Sequence, residues 1–313
     1  MKGLLALTRF QNNPIITPEA GQGWESGGTF NPGAVVVDDV IHLLYRGVDE
    51  TGTSRLGYAM SRDGGVIARR LPTPVLKPTG QWEEFGCEDP RITQINGLFY
   101  VTYTAYSQRG PRIALASTTD FLHFKRYGII GPDINDKDCV LFPQKINGKI
   151  ALLHRINGRI QIAYFDSADA LTNPGGYWET YLEDLESHEV IKPKYHWETR
   201  KIGSGTPPIR TEKGWLVIYH GVSAERVYRA GALLLDLKNP QDVIARTRAP
   251  ILEPETEFEK QGVVPNVVFP EGAVVLDGEL VVYYGGADRV CCGARVILDE
   301  FLEELEEQTL ITV

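Results

Sequence analysis

One acidic side chain, Asp89, stands where it could act on a bound molecule. It directly precedes a proline, and the residues after it read as a strand. An aspartate before proline also commonly caps the amides of a turn, so the sequence leaves both roles open. Alternation along a strand predicts that Glu88 points to the opposite side, so that both carboxylates cannot face one pocket. Arg91 shares the side of Asp89 and could hold its charge or orientation.

Three basic residues, Lys137, Arg155 and His220, are candidates for binding a small anion. Each by itself is typical of a solvated surface, but together they could desolvate and aim a phosphate through charge-assisted hydrogen bonds. Ordinary glycosidases need two carboxylates, and no second carboxylate stands at the other candidate strand starts. A bound phosphate would supply the nucleophile from outside the protein.

These residues belong to a repeated pattern of strands and turns. Five times a proline step leads into an apolar strand, a tight polar turn and a second apolar strand; the steps are Asn31-Pro32, Asp89-Pro90, Phe142-Pro143, Pro207-Pro208 and Phe269-Pro270. Asn-Gly and Asp-Gly turns, as at Asn96-Gly97 and Asp277-Gly278, are strong hairpin signals. Since proline is tolerated at the start of a strand, we expect these steps to mark strand starts.

The repeat predicts an all-β fold. Five antiparallel units that cannot each bury both faces imply radial stacking, so residues 1–313 are expected to form one five-bladed β-propeller domain. An array of β-sandwiches is the alternative. Helical periodicity is confined to residues 299–307, where Phe301, Leu302 and Leu305 share one face of a short C-terminal helix.

A propeller would bring distant residues to one mouth of its channel. The first strands start there and the second strands end there. The expected set combines a carboxylate, an amide, basic groups and aromatics, which suits a neutral sugar beside a small anion. Its members are Asn31, Asp89, Phe142, Thr206 and Phe269 at strand starts, and Arg46, Tyr106, Arg155, His220 and residues 285–288 at strand ends.

Composition narrows the function classes. The 32 basic and 41 acidic residues leave a net charge of −9, which argues against a nucleic-acid partner. The four cysteines and six histidines lack the spacing of a metal site or a disulfide framework, so we expect no metal and no cofactor. No apolar run has the length of a signal or membrane segment, which favours the cytoplasm and no membrane partner. Self-association through the C-terminal helix or the long loops stays open.

The sequence also carries a set of motifs that belong together. The run GCEDPRI at residues 86–92 resembles the core motif of glycoside hydrolase family 130, the β-mannoside phosphorylases, which are five-bladed propellers. Further matches span nearly the whole chain in the expected order. They are FNPGAVV (30–36), TSRLGYAMSRDG (53–64), VLFPQKINGK (140–149), IYHGV (218–222), YRAGALLLDL (228–237), VPNVVFPEGA (264–273) and YYGGAD (283–288).

The resemblance implies a reaction. A β-mannoside and inorganic phosphate, the co-substrate, would give α-mannose 1-phosphate with inversion. Asp89 matches the family's general acid, which is thought to relay its proton through the 3-hydroxyl of the mannosyl ring while phosphate attacks the anomeric carbon from the opposite face. Positioned acids and pre-aimed cations are what such a step requires.

The resemblance also implies roles for the other candidates. Arg155, His220 and Tyr228 match phosphate-binding positions, and Lys137 stands where many relatives have arginine. The remaining matches are substrate-binding positions, namely Asn31, Arg46, Arg55, Asp288 and Asp138. Relatives often have asparagine in place of Asp138, and an anion beside phosphate is unfavourable.

Other activities stay open. Family members that hydrolyse β-1,2-mannosides with water lose the basic groups that are retained here, and a sugar-binding propeller without catalysis would have little use for an anion site. The EDPR form and compact length favour β-1,2-mannobiose or short β-1,2-oligomannan over β-1,4-mannosides. The loop at residues 175–201, which contains Tyr177, Trp178, Tyr195, His196 and Trp197, is a candidate wall for the acceptor sugar; its aromatic residues could instead pack the loop onto the propeller.

Overall fold

Short strands dominate the chain and form antiparallel sheets. The structure is a computed structural model that describes residues 5–19 and 21–310. Within these residues it contains 21 strands and four α-helices, so the prediction of an all-β fold is confirmed. Three sheets are antiparallel throughout. The fourth joins two antiparallel groups of strands by one parallel pairing, of Ser54 with Gly86.

We number the five antiparallel groups as units 1 to 5. Unit 1 contains β2 (Gly28–Val37), β3 (Val40–Val48), β4 (Ser54–Ser61) and β5 (Ile67–Arg70), and unit 2 contains β6 (Gly86–Ile95), β7 (Leu98–Ser107), β8 (Gly110–Thr118) and β9 (Lys125–Ile129). Unit 3 contains β10 (Lys137–Leu141), β11 (Ile150–Ile156), β12 (Arg159–Phe165) and β13 (Glu189–Ile191). Unit 4 contains β14 (Lys201–Ser204), β15 (Ile209–Arg210), β16 (Trp215–Val222), β17 (Tyr228–Leu235) and β18 (Val243–Arg246). Unit 5 contains β19 (Val268–Leu276), β20 (Glu279–Gly286), β21 (Val290–Ile297) and the N-terminal β1 (Thr8–Arg9).

The helices lie between and after these strands. They are α1 (Ala168–Thr172), α2 (Tyr177–Glu183), α3 (Glu257–Lys260) and α4 (Leu298–Leu310). The predicted C-terminal helix is confirmed as α4, and its three apolar residues are buried in a core cluster shared with units 4 and 5. Across residues 5–19 and 21–310, none of the helices combines the length and the apolar character needed to cross a bilayer.

The prolines of the repeated steps do not mark strand starts, which corrects the sequence prediction. Pro32, Pro90 and Pro270 lie inside β2, β6 and β19, where the pairing register shifts. A β-bulge leaves one residue unpaired, so the missing N–H of proline costs little there. Pro143 follows the end of β10, and Pro207 lies between β14 and β15.

Four of the five units repeat one buried cluster of a glutamate, a tyrosine and an arginine. In each, the carboxylate accepts hydrogen bonds from the tyrosine hydroxyl and the guanidinium. The sets are Glu25, Tyr45 and Arg70; Glu83, Tyr103 and Arg126; Glu198, Tyr219 and Arg246; and Glu259, Tyr284 and Arg9. The glutamate precedes the first strand, the tyrosine lies on the second, and the arginine lies on the outermost strand. The cluster therefore ties the two edges of a unit together.

Unit 3 replaces this cluster with a histidine-centred one. His154 occupies the place of the tyrosine, and its ring nitrogens lie 2.7 Å from a carboxylate oxygen of Asp136 and 2.7 Å from the hydroxyl of Tyr181. Tyr181 comes from α2, so this helix takes the part that the outermost strand plays elsewhere.

First strands of different units pack closely against one another. A Cβ atom at Gly33 would lie 2.2 Å from the carbonyl oxygen of Pro90, so β2 and β6 can approach only because residue 33 is glycine. The hydroxyl of Thr102, on β7, donates to the carbonyl oxygen of Cys139 in β10. A Cβ atom at Gly205 would in turn lie 2.7 Å from the carbonyl oxygen of Pro270. The ends of the first strands that carry the candidate residues thus converge.

Candidate active site

The same backbone feature positions three polar residues on three successive units. Asn31, Asp89 and Asp138 each occupy a bulge in the first strand and have left-handed φ values of 52°, 55° and 58°. Asparagine and aspartate tolerate this conformation better than most residues. Because a bulge interrupts the alternation of the strand, it turns these side chains toward one cavity.

The second strands carry the basic residues, at positions that pair directly with residues of the first strands. Arg46 pairs with Phe30, Arg155 with Lys137, and His220 with Gly203. Each basic residue directly follows the tyrosine or histidine of the buried cluster in its unit, so alternation sends it to the other face of the sheet. The clusters thus hold the strands that carry the cations.

A cavity collects most of the predicted site residues. It is lined by Asn31, Arg46, Asp89, Lys137, Asp138, Arg155, Lys201, Tyr228, Val264, Val267, Phe269 and Asp288. His220 lies just behind this surface, fully buried, with Nε2 3.4 Å from a guanidinium nitrogen of Arg155. Arg55 is not among the lining residues and binds the carboxylate of Asp49 at 2.7 Å.

Asp89 is buried and surrounded by donors. Its Oδ1 accepts from Asn31 Nδ2 at 3.0 Å and from Arg46 at 3.1 Å, and Oδ2 lies 3.4 Å from Lys137 Nζ. Burial by itself raises the pKa of Asp89, but the charges of Lys137, Arg46 and Arg91 and the Asn31 hydrogen bond outweigh it and hold the pKa below its usual value. The carboxyl is therefore ionised at neutral pH in the free protein.

Glu88 contacts the same two cations as Asp89, which corrects the expectation from alternation. Its Oε1 lies 2.7 Å from Arg46 and its Oε2 lies 3.5 Å from Lys137 Nζ. The reason is the bulge, because the left-handed φ of Asp89 breaks the alternation between neighbouring residues.

Arg91 is buried and contacts the backbone and the carboxylates around the site. Its guanidinium donates to the backbone carbonyl oxygens of Asp89, Ser204 and Gly205, and lies 3.2 Å from Asp138 and 3.1 Å from Glu271. The predicted influence on Asp89 thus acts through the main chain and through charge, while the direct ion pairs go to the other two carboxylates.

Asp138 lies beside Arg155 and His220, two of the residues predicted to bind phosphate. Its Oδ2 lies 2.8 Å from Arg155 and 3.7 Å from His220 Nε2. Burial raises the pKa of Asp138, but Arg155, His220 and Arg91 more than offset this and lower it to about 2. Burial, only partly opposed by Asp138, lowers the pKa of His220 well below its usual value, so His220 is neutral at pH 7.

Sequence reasoning missed Lys201. It lies at the start of β14, lines the cavity, and places its Nζ 5.2 Å from the ring centroid of Tyr228. Burial, joined by repulsion from Arg155 and Lys137, lowers the pKa of Lys201 to about 8. The predicted strand start at Pro207 pointed elsewhere, because β14, which pairs with the His220 strand, ends before that proline.

Asp288 adds another carboxylate at the cavity. Burial raises the pKa of Asp288 to about 6, and the charge of Arg46 only partly opposes this shift. Asp288 therefore titrates much closer to neutral pH than Asp89 does, although the same cations lie near both.

Two of the five aromatic residues in the loop expected to bind the acceptor sugar lie in the core instead. Trp178 is buried and donates to the carbonyl oxygen of Ile130, and Trp197 is buried and donates to that of Arg248. Both belong to apolar core clusters. They fasten the loop to the sheets, as the alternative interpretation held.

The chain as a whole has counterparts among known proteins. The glycoside hydrolase family 130 profile, described as beta-1,4-mannooligosaccharide phosphorylase, matches residues 6–307. The chain belongs to this family. It is 41% identical to a 1,2-beta-oligomannan phosphorylase of Thermoanaerobacter sp. over 92% of this chain and 96% of the relative. It is also 40% identical to a beta-1,2-mannobiose phosphorylase of the same organism, over 91% and 95% of the two chains.

A solved structure of the family agrees in its fold. The beta-1,2-mannobiose phosphorylase of Listeria innocua, in complex with beta-1,2-mannobiose, superimposes on this chain with a TM-score of 0.81. The two share 30% sequence identity, and the match covers 96% of this chain and 99% of the other. Membership of family 130 therefore confirms the resemblance identified in the sequence.

Proposed function

We propose that this protein is an inverting phosphorylase that cleaves β-1,2-mannobiose or short β-1,2-oligomannan with inorganic phosphate. The product would be α-mannose 1-phosphate. The observation that carries the proposal is the identity of about two residues in five, over nearly the whole length of both chains, with two phosphorylases named for β-1,2-linked substrates. The family description names a β-1,4 activity, and the named relatives favour β-1,2 over it.

The cavity supports phosphate as the attacking group. Lys137, Arg155 and Lys201 are cations around one small space beside Asp89, and Tyr228 and His220 add a hydroxyl and a ring nitrogen. Cations fixed in a buried site hold an anion far more strongly than solvated ones do. A water-using hydrolase would not need these groups, and a lectin would not need them beside an acid.

Asp89 is the proposed acid, and the binding of phosphate would raise its pKa so that it can be protonated. In the free protein, cations keep Asp89 ionised. A phosphate dianion beside Lys137 offsets that positive charge, so the pKa of Asp89 rises when both substrates are bound. The proton then passes through the 3-hydroxyl of the mannosyl ring to the leaving oxygen.

The remaining lining residues would bind the mannosyl unit. Asn31, Arg46, Asp138 and Asp288 surround Asp89 on the cavity wall, and they offer both donors and acceptors for sugar hydroxyls. A substrate contact by Arg55, which pairs with Asp49 in the free protein, stays a prediction.

The proposed architecture is a single five-bladed propeller spanning residues 1–313. Five units, close packing between first strands, and the N-terminal β1 completing unit 5 support it. Closing the last blade with a strand from the other end of the chain removes a free edge, as in other propellers.

The test is incubation with β-1,2-mannobiose and β-1,4-mannobiose, each with and without phosphate. We expect mannose 1-phosphate from the β-1,2 substrate only when phosphate is present. Free mannose formed equally well without phosphate would support the β-1,2-mannosidase. A preference for the β-1,4 substrate would support the other phosphorylase specificity, and sugar binding without any turnover would indicate a lectin.

A further inference from the structure

Two aromatic side chains stand exposed at the same end of unit 2 as Asp89. Phe85 and Tyr106 are each 38% exposed, and their rings meet edge to face with centroids 5.3 Å apart. The backbone N–H of Phe85 donates to the carbonyl oxygen of Tyr106 at 2.9 Å, which fixes the pair. Leaving two large aromatic rings more than one third exposed to water gives up burial that folding could have used.

Strand register puts Tyr106 on the face of the sheet that looks into the cavity. Thr104 pairs with Glu88 and Tyr106 pairs with Gly86, so Tyr106 stands one step nearer the mouth on the same side of β7 as Thr104. Thr104 holds the position that Arg46 and Arg155 hold in their units.

Unit 2 differs from the other units at the position of Tyr106, two residues beyond Thr104 along the second strand. None of the four positions that correspond to Tyr106 carries an aromatic residue; they are Val48, Asn157, Val222 and Ala287. An aromatic platform is thus a property of unit 2, the unit that carries the proposed acid.

The spacing between the pair and Asp89 exceeds one sugar ring. Gly86, opposite Tyr106, lies three residues before Asp89, and Phe85 lies four residues before it, which corresponds to about 10 and 13 Å along an extended strand. Polar groups flank the pair, since Gln108 Nε2 donates to Glu84 Oε1 at 3.1 Å. Apolar ring faces bordered by hydrogen-bonding groups suit a pyranose, which has both apolar and polar surfaces.

We propose that Phe85 and Tyr106 bind the sugar units of the leaving group that lie beyond the first one. The inference rests on the proposed function, because it takes the substrate to be a β-1,2-linked mannooligosaccharide whose cleaved bond lies at Asp89. The platform makes the protein favour chains of three or more mannosyl units over the disaccharide.

The experiment compares phosphorolysis of β-1,2-mannobiose, mannotriose and mannotetraose by the wild type, Phe85→Ala, Tyr106→Ala and Tyr106→Phe. Truncating an aromatic anchor should lower kcat/KM for the two longer chains by about tenfold, mainly through KM. The value for mannobiose should stay within about twofold, because the disaccharide does not reach the platform. Tyr106→Phe keeps the ring and should behave as the wild type.

Leu122→Ala is the matched control. Leu122 is 43% exposed and follows β8, whose last residues pair with the start of β7, so it lies at the opposite end of unit 2 from Tyr106. Leu122→Ala should leave kcat/KM unchanged for all three substrates. Equal losses for all three substrates in the platform variants, or no loss for any, would overturn the platform.

A direct binding measurement separates this proposal from the proposed function. Calorimetric titration of mannotetraose and mannobiose into Asp89→Asn, with and without Phe85→Ala, requires no turnover. We expect Phe85→Ala to weaken the binding of mannotetraose and to leave the binding of mannobiose unchanged. If the wild type forms no mannose 1-phosphate, the proposed function fails; if Phe85→Ala leaves mannotetraose binding unchanged, the platform fails.

Discussion

Asp138 Oδ2 lies 2.8 Å from a guanidinium nitrogen of Arg155. A buried carboxylate thus neutralises a cation that is proposed to bind phosphate. Phosphate must either share Arg155 with Asp138 or approach against its negative charge, and an asparagine at this position would avoid that conflict. We therefore expect the pairing to stabilise the free protein and to weaken anion binding.

Asp138→Asn should bind phosphate more tightly. Removing the negative charge frees Arg155 and lowers electrostatic repulsion, so we expect KM for phosphate to fall about threefold or more. The variant should also have a lower Tm, because the partly buried Arg155 and the fully buried Arg91 lose a counter-charge. Phosphate titrations of initial rate and thermal unfolding check both effects. A higher KM for phosphate would mean that Asp138 helps to hold phosphate.

Asp89→Asn should abolish turnover while it preserves phosphate binding. Loss of a general acid typically lowers the rate by about 10² to 10⁴-fold. The amide keeps the size of the side chain and its contact with Asn31. The matched control is Asp133→Asn, which changes a carboxylate whose side chain is 71% exposed and should leave the rate unaltered. Turnover within about tenfold of the wild type would remove Asp89 from the role of acid.

Phosphate affinity should fall as the pH rises through about 8. The pKa of Lys201 is lowered to about 8, so its ammonium charge is present below that pH and is lost above it. The pKa of Lys137 is raised, because the attraction of Asp89 and Glu88 outweighs burial, and Lys137 stays charged across this window. We therefore expect KM for phosphate, measured from initial rates, to increase between about pH 7 and 9, which is about one unit to either side of the Lys201 pKa.

Lys201→Arg is the decisive variant for this pH dependence. Arginine stays protonated well above pH 9, so KM for phosphate should become nearly flat across the same range. A profile that matches the wild type would show that Lys201 does not bind the anion.

Arg9→Met should destabilise the protein by about 3 kcal/mol. Arg9 is the cation of the unit 5 cluster, and its loss leaves the fully buried carboxylate of Glu259 without that ion pair. Arg295→Met is the control, because the side chains of the Arg295–Glu279 pair are 51% and 30% exposed, and a pair exposed to this degree is worth less than about 1 kcal/mol. Urea unfolding of both variants measures the difference. Equal stabilities would mean that the cluster does not fasten β1 to unit 5.

Local patterns in the sequence determined the strand content, the hairpins and the C-terminal helix. Asn96-Gly97 and Asp277-Gly278 do form turns with left-handed backbone, because only those residue types adopt that conformation at low cost. The convergence of Asp89, Arg155 and His220 also followed from the repeat, since equivalent positions in repeated units meet at one end.

Other features depended on contacts between residues far apart in sequence. Bulges set the direction of Glu88 and Asp89, and a bulge depends on pairing with a second strand, which no single segment encodes. Packing decided that Trp178 and Trp197 are core residues, because the apolar clusters they enter are built from several units. Lys201 joined the cavity through the pairing of β14 with β16. Local residue patterns therefore specify which elements form. Which side chains face the cavity, and what charge they carry there, depends on packing, because burial and opposing charges exist only once the units have packed.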